Sequence, residues 1–152
     1  GNASTYFDDE GVAVNKRTVV DKGVMLGYFL SSYSARRLNM ETTGNAGGSH
    51  NLIIKDSGVS FTELVKKMGR GLIVTELLGH GLNMVTGDYS RGAAGLWVEN
   101  GEVQFAVEEI TIASNIKDML LNIEAVATDR YTNSSKYTGS ILIQGMTVGS
   151  NK

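Results

Sequence analysis

A chain of 152 residues, 41% hydrophobic and 20% charged, suits one globular domain with a real core. Its net charge of −2 gives no electrostatic case for nucleic acid or anionic lipid, and no apolar run approaches the roughly 18 residues of a membrane helix. Cysteine is absent, which excludes disulfides, thiolate metal ligands and a cysteine nucleophile and fits a reducing compartment.

Proline is also absent while glycine numbers 19, so the turns fall to Gly, Asn, Asp and Ser, and β structure with tight turns is expected. The opening Gly1-Asn2-Ala3-Ser4 carries neither the basic region nor the apolar stretch of a secretory leader, and a start on Gly rather than Met predicts a piece of a longer protein. Residues 6–14 read as an extended piece with an acidic turn at Asp8-Asp9-Glu10-Gly11. Residues 17–20 and 24–30 flank Asp21-Lys22-Gly23 as the arms of a hairpin. Ser32–Leu38 is a candidate short helix, Glu41–Ser49 an irregular loop and Asn51–Lys55 a short strand.

Residues 60–67 carry the strongest helix pattern. Ser60 and Glu63 make a capping box, Phe61, Leu64, Val65 and Met68 form one apolar stripe, and Gly69 and Gly71 end it. Leu72–Leu78 is predicted to be a buried strand, followed by a loop over Gly79–Gly87. A polar knot, Asp88-Tyr-Ser-Arg91, sits between Gly87 and Gly92 and reads as a shaped turn. Arg91–Val98 and Glu102–Val107 then pair around Glu99-Asn100-Gly101, the strongest hairpin signal in the chain. Ile110–Ile112 continues the strand, Asn115–Asn122 is a second short helix with Ile116, Met119, Leu120 and Ile123 on one face, and Ile123–Ala127 turns back into strand. Asp129–Tyr137 is a polar loop, and Ser140–Ile143 and Met146–Val148 close the chain. The expected fold is α+β, mostly antiparallel and barrel-like, with about two short helices and one domain over residues 1–152.

Candidate chemistry is sparse. His50 and His80 are isolated and meet no zinc spacing. Glu108 and Glu109 are adjacent in a strand pattern, so they point to opposite faces unless a bulge intervenes; one is expected in solvent and one paired with a base such as Arg91. Ser90 lacks a nucleophile elbow, and a structural turn is the better reading of Asp88 and Ser90. Arg91 suits bidentate contact with a carboxylate or carbonyl. Gly44–Gly48 has no phosphate-loop spacing, but its exposed backbone could pair with an extended peptide. Trp97 is expected to be buried, and exposure would mark an interface.

Several ordered strings carry a family resemblance: Phe7-Asp-Asp-Glu-Gly11, Thr42-Thr-Gly-Asn-Ala-Gly-Gly48, Gly71-Leu-Ile-Val-Thr-Glu-Leu-Leu-Gly79, Val85-Thr-Gly-Asp-Tyr-Ser-Arg-Gly92, Trp97-Val-Glu-Asn-Gly101, Val107-Glu-Glu-Ile-Thr-Ile-Ala113, Asp118-Met119 and Gly139-Ser-Ile-Leu-Ile143. Across nearly its whole length the chain resembles the C-terminal domain of PmbA/TldE, of the TldD/PmbA peptidase family, formerly described as a modulator of DNA gyrase. The resemblance implies a cytoplasmic TldD/TldE heterodimer that trims unfolded peptides, matures microcin-type peptides and degrades antitoxins. It implies zinc in the TldD partner, on an H-E-x-x-x-H helix with a cysteine, and no metal, cofactor or catalytic residue in this chain. It places Thr43, Gly44, Asn45 and Ala46 on one loop and Asp88, Tyr89, Ser90 and Arg91 on another, both facing peptide or partner. The alternatives are a homodimer that hydrolyses peptides itself, which needs His50 and His80 to converge, and a structural module alone.

Overall fold

Residues 1–150 are described by a computed structural model. In chain order they form β1 (Val20–Asp21), β2 (Val24–Met25), α1 (Ser32–Arg37), β3 (Leu52–Ile53), α2 (Phe61–Met68), β4 (Gly71–Leu78), β5 (Asp88–Glu99), β6 (Glu102–Asn115), α3 (Ile116–Leu121), β7 (Ile123–Val126), β8 (Lys136–Tyr137), β9 (Ile141–Ile143) and β10 (Thr147–Ser150). The chain packs as two units. One holds Gly1–Ile54 and Tyr131–Tyr137; the other holds Lys55–Arg130 and the residues from Thr138 onward.

The first unit is poor in regular structure. Lys22 (φ 48°) and Gly23 (φ 80°) turn β1 onto β2, but the ladder has only two rungs, Val20↔Met25 and Asp21↔Val24. The arm predicted through residue 30 stops early because the backbone there is used elsewhere. Leu30 N–H donates to Thr43 Oγ1 at 2.8 Å, and Leu30 O accepts from Thr43 N–H at 3.1 Å. α1 starts at a Ser31–Ser34 capping box, which sequence reading had not identified, and buries Ala35. β3 pairs in parallel with β8 at the end of the predicted polar loop.

The second unit carries a four-stranded antiparallel sheet in the order β10-β6-β5-β4. Its spine is the predicted hairpin. Glu99 faces Glu102, and Asn100 (φ 54°) and Gly101 (φ 74°) make the two-residue turn, the positive φ values that match the twist of the strands. α2 forms as predicted, with Ser60 and Glu63 exchanging hydrogen bonds and Gly69 at φ 67° ending it. Leu64 of α2 packs on Ala125 and Ala127, with Val59 and Leu142 at the margin. β7 and β9 form a separate antiparallel pair.

The α+β, mostly antiparallel fold is as expected; among the described residues it has three helices, and its sheets stay open. Two expectations are corrected. β4 is not buried: Val74–Leu78 are exposed, because β4 is the edge of its sheet. The stripe on α3 reaches no core, since none of its residues is buried and Leu120 is 64% exposed.

Candidate functional site

The polar knot is strand, not turn. Asp88–Arg91 open β5 and run opposite Asn115, Ser114, Ala113 and Ile112 of β6. On their other side they pair with the segment after β4: Ser90 N–H donates to Gly81 O at 2.7 Å, and Asn83 N–H donates to Asp88 O at 2.8 Å. Gly87 (φ 79°) supplies the turn that precedes them. Gly81 is where two backbones meet, since a Cβ there would lie 1.7 Å from Ser90 O. The glycines flanking the polar string suggested a loop; long-range ladder bonds to residues 111–115 decided otherwise.

Within the knot the side chains separate by exposure. Asp88 and Ser90 are exposed, whereas Tyr89 and Arg91 are half-buried. The Asp88 carboxylate accepts from the side chains Thr86 Oγ1 at 2.6 Å and Asn115 Nδ2 at 3.4 Å. Tyr89 packs against the core cluster of Ala93, Ile110 and Ile112. Arg91 Nη2 donates to Leu77 O at 3.3 Å, and its Nε is buried without a partner. Neither Glu108 nor Glu109 pairs with Arg91. Both are exposed, on a bulge where Glu109 takes φ 53° and two residues of β6 oppose Ala94 alone.

An apolar groove of about 590 Å³ lies beside this strand. α2 contributes Phe61 and Met68, β4 contributes Val74 and Leu77, and Tyr89 and Ile143 are also in the wall. The outer side of β4 pairs with no strand among the described residues. β4 therefore contributes side chains to the groove while its outer backbone edge stays unpaired, and Arg91 holds the Leu77 carbonyl of that same strand. Sequence reading missed this groove. Leu72–Leu78 reads as an apolar, β-capable run, and nothing local marks a strand as an edge. Trp97 is half-buried, its indole N–H 3.2 Å from Glu99 Oε1 and its ring 5.6 Å from the Arg70 guanidinium.

The other predicted set belongs to the first unit, where its polar atoms are turned to internal bonds. Thr43 Oγ1 reaches Asn45 Oδ1 at 2.8 Å, and Arg17 Nη2 donates to Asn45 Oδ1 at 3.0 Å. Gly44 is buried at φ 66°, with Ala13 O 2.6 Å from where a Cβ would stand. Ala46 N–H donates to Asp8 Oδ2 at 3.0 Å. Asp8 is the residue the sequence reading undervalued. It reads as one of three acids in a turn, yet it is 4% exposed and its other oxygen accepts from Glu10 and Val12 N–H, each at 2.9 Å. Burial pushes its carboxyl up, but the N–H groups of Ala46, Val12 and Glu10 prevail and hold it below the usual aspartate value. The signal available in the sequence was Asp followed by Gly three residues on, which fits a side chain capping its own turn.

His50 Nε2 lies 3.3 Å from Gly44 O, and His80 is exposed. Among the described residues no three His, Cys, Asp or Glu side chains gather into a metal-holding group. Among the described residues no helix is long and apolar enough to cross a membrane.

Residues 1–150 match the family described as PmbA/TldA metallopeptidase C-terminal domain. The chain is 52% identical over 148 residues to the metalloprotease PmbA of Escherichia coli O157:H7, covering 97% of this chain and 33% of that protein. It superposes on a Thermotoga maritima protein described as a candidate modulator of a DNA gyrase, with a TM-score of 0.88 and 38% identity over 97% of this chain and 36% of that one. Against TldE of Thermococcus kodakarensis the TM-score is 0.82 and the identity 25%, over 96% of this chain and 36% of that one. The chain thus spans about a third of the length of the curated relatives it matches. With the whole described sequence matched and half of its residues shared with a PmbA protein, the chain belongs to the PmbA/TldA metallopeptidase family, as its C-terminal domain.

Proposed function

We propose that this domain is the C-terminal part of the non-metal subunit in a TldD/TldE-type metalloprotease, and that it holds extended, unfolded peptide rather than cleaving it. The observation that carries the reading is that β4 both lines this groove and is an open edge strand. An unfolded peptide presents free backbone N–H and C=O groups and alternating apolar side chains, and an edge strand beside an apolar groove meets both needs. Tyr89 contributes wall area. Arg91 holds the β4 carbonyl at Leu77 and so keeps the edge in shape, while Asp88 and Ser90 offer exposed polar contacts. The Thr43–Ala46 loop is the second peptide- or partner-facing element: Thr43 and Asn45 are its half-exposed positions and hold its backbone through internal bonds, and Gly44 and Ala46 are buried beneath them. The zinc belongs to a TldD-like partner, the compartment is the cytoplasm, and the substrates include microcin-type precursors and antitoxins.

The test is co-purification of the full-length protein with its TldD-like partner, followed by cleavage of an unfolded peptide. Arg91→Ala is expected to weaken processing while the melting curve of the domain persists. Unchanged processing removes Arg91 from the site. Stoichiometric zinc and cleavage in the absence of the partner would overturn the assignment to the non-metal side.

A further inference from the structure

Asn100-Gly101 is the single Asn-Gly pair in the sequence. The fold selects both residues on geometric grounds. Each must take positive φ, 54° and 74°, for the two-residue turn between Glu99 and Glu102. Gly101 is further restricted because a Cβ on it would lie 3.0 Å from Lys66 Cα of α2. The same pair is also the dipeptide most open to self-modification, since a glycine after asparagine leaves the following backbone nitrogen unhindered, and asparagine is among the thermolabile residues.

The nucleophile in that chemistry is Gly101 N. In this structure its N–H donates to Gly69 O at 2.7 Å, at the residue that ends α2. Attack on Asn100 Cγ requires that nitrogen to leave the hydrogen bond and lose its proton. We propose that Asn100 is a spontaneous deamidation site whose rate is set by release of the α2 end from the hairpin tip. Gly101 N gives its proton to solvent and forms a bond to Asn100 Cγ, the Cγ–Nδ2 bond breaks, and the side-chain nitrogen takes up a proton from solvent and departs as ammonia. Water then opens the five-membered succinimide at either carbonyl, leaving aspartate or isoaspartate. No oxidant, reductant or co-reactant other than water takes part.

The product disturbs the hairpin that carries the sheet. It adds a negative charge between Glu99 and Glu102. As isoaspartate it also lengthens the main chain within a two-residue turn that sets the β5–β6 register.

The experiment is incubation of the chain at mildly alkaline pH, with deamidation at Asn100 followed by peptide mapping and isoaspartyl methyltransferase labelling. Four samples are compared: the folded chain, the chain in urea, Ser60→Ala and Leu64→Ala. Neither substitution touches the dipeptide, and both loosen α2. The folded chain is expected to react slower than the urea-unfolded chain by a factor on the order of ten or more, because only the locally opened form can react. Both variants are expected to react faster than the folded wild type, Leu64→Ala more so; if Leu64→Ala is largely unfolded, the milder Ser60→Ala decides. Equal rates for the folded and urea-unfolded chains would overturn the proposal, as would a Ser60→Ala rate equal to wild type.

Discussion

Leu64→Ala is the perturbation that best measures how the second unit holds together. Leu64 is 5% exposed and touches Ala125 and Ala127, themselves 4% and 0% exposed. Its two buried neighbours are alanines, on β7 and the residue after it, too short to swing into a gap, and only Val59 and Leu142 at the margin have the reach to move in. Part of the space left by the lost carbons therefore stays open. Leu-to-Ala changes in cores cost about 2–5 kcal/mol, with the larger values where the site cannot collapse, so about 3 kcal/mol is a reasoned midpoint here. For a unit of this size that corresponds to a fall in Tm of roughly 12–24 °C. Thermal and urea unfolding followed by circular dichroism reads it directly, the urea midpoint moving with an unchanged slope. Leu64→Met is the control, keeping volume and costing less than about 1.5 kcal/mol. A Leu64→Ala shift under about 4 °C, equivalent to less than about 1 kcal/mol, would refute the claim that α2 is pinned through this contact.

Three further outcomes are expected. The folded carboxyl of Asp8 titrates below its unfolded value of about 3.9, so its contribution is present above that pH and is lost as pH falls through the lower folded value; the stability gap between wild type and Asp8→Asn, measured as Tm from neutral to acidic pH, should therefore narrow in acid, and a gap that widens in acid would contradict the assignment. Gly95→Ala places a Cβ 2.0 Å from Ile73 O, on β5 where β4 and β6 both bulge, so that backbone must move, and a cost above about 2 kcal/mol in urea unfolding is expected. Asn100→Ala should cost about 1–2 kcal/mol because alanine resists positive φ, whereas Asn100→Gly should be nearly neutral; equal costs would mean the turn is not held at φ 54°.

The local rules were strong enough to specify α2 and the β5–β6 hairpin from sequence alone. A capping box, one apolar stripe and a terminal glycine act within eight residues, and Asn-Gly acts within two, so nothing distant is needed to decide them. The family, too, was legible, because its motifs are strings in order. What the sequence could not settle depends on partners far along the chain. Asp88–Arg91 became strand because residues 111–115 and 81–83 lie on either side of it. β4 became an exposed edge because no fifth strand covers it among the described residues, although its apolar run reads like an interior one. Asp8 became a buried anchor because Ala46, 38 residues later, points its N–H at it. Short-range hydrogen bonding and periodicity fixed the pieces; which surface is edge, groove or core was decided only when residues remote in sequence competed for the same backbone groups.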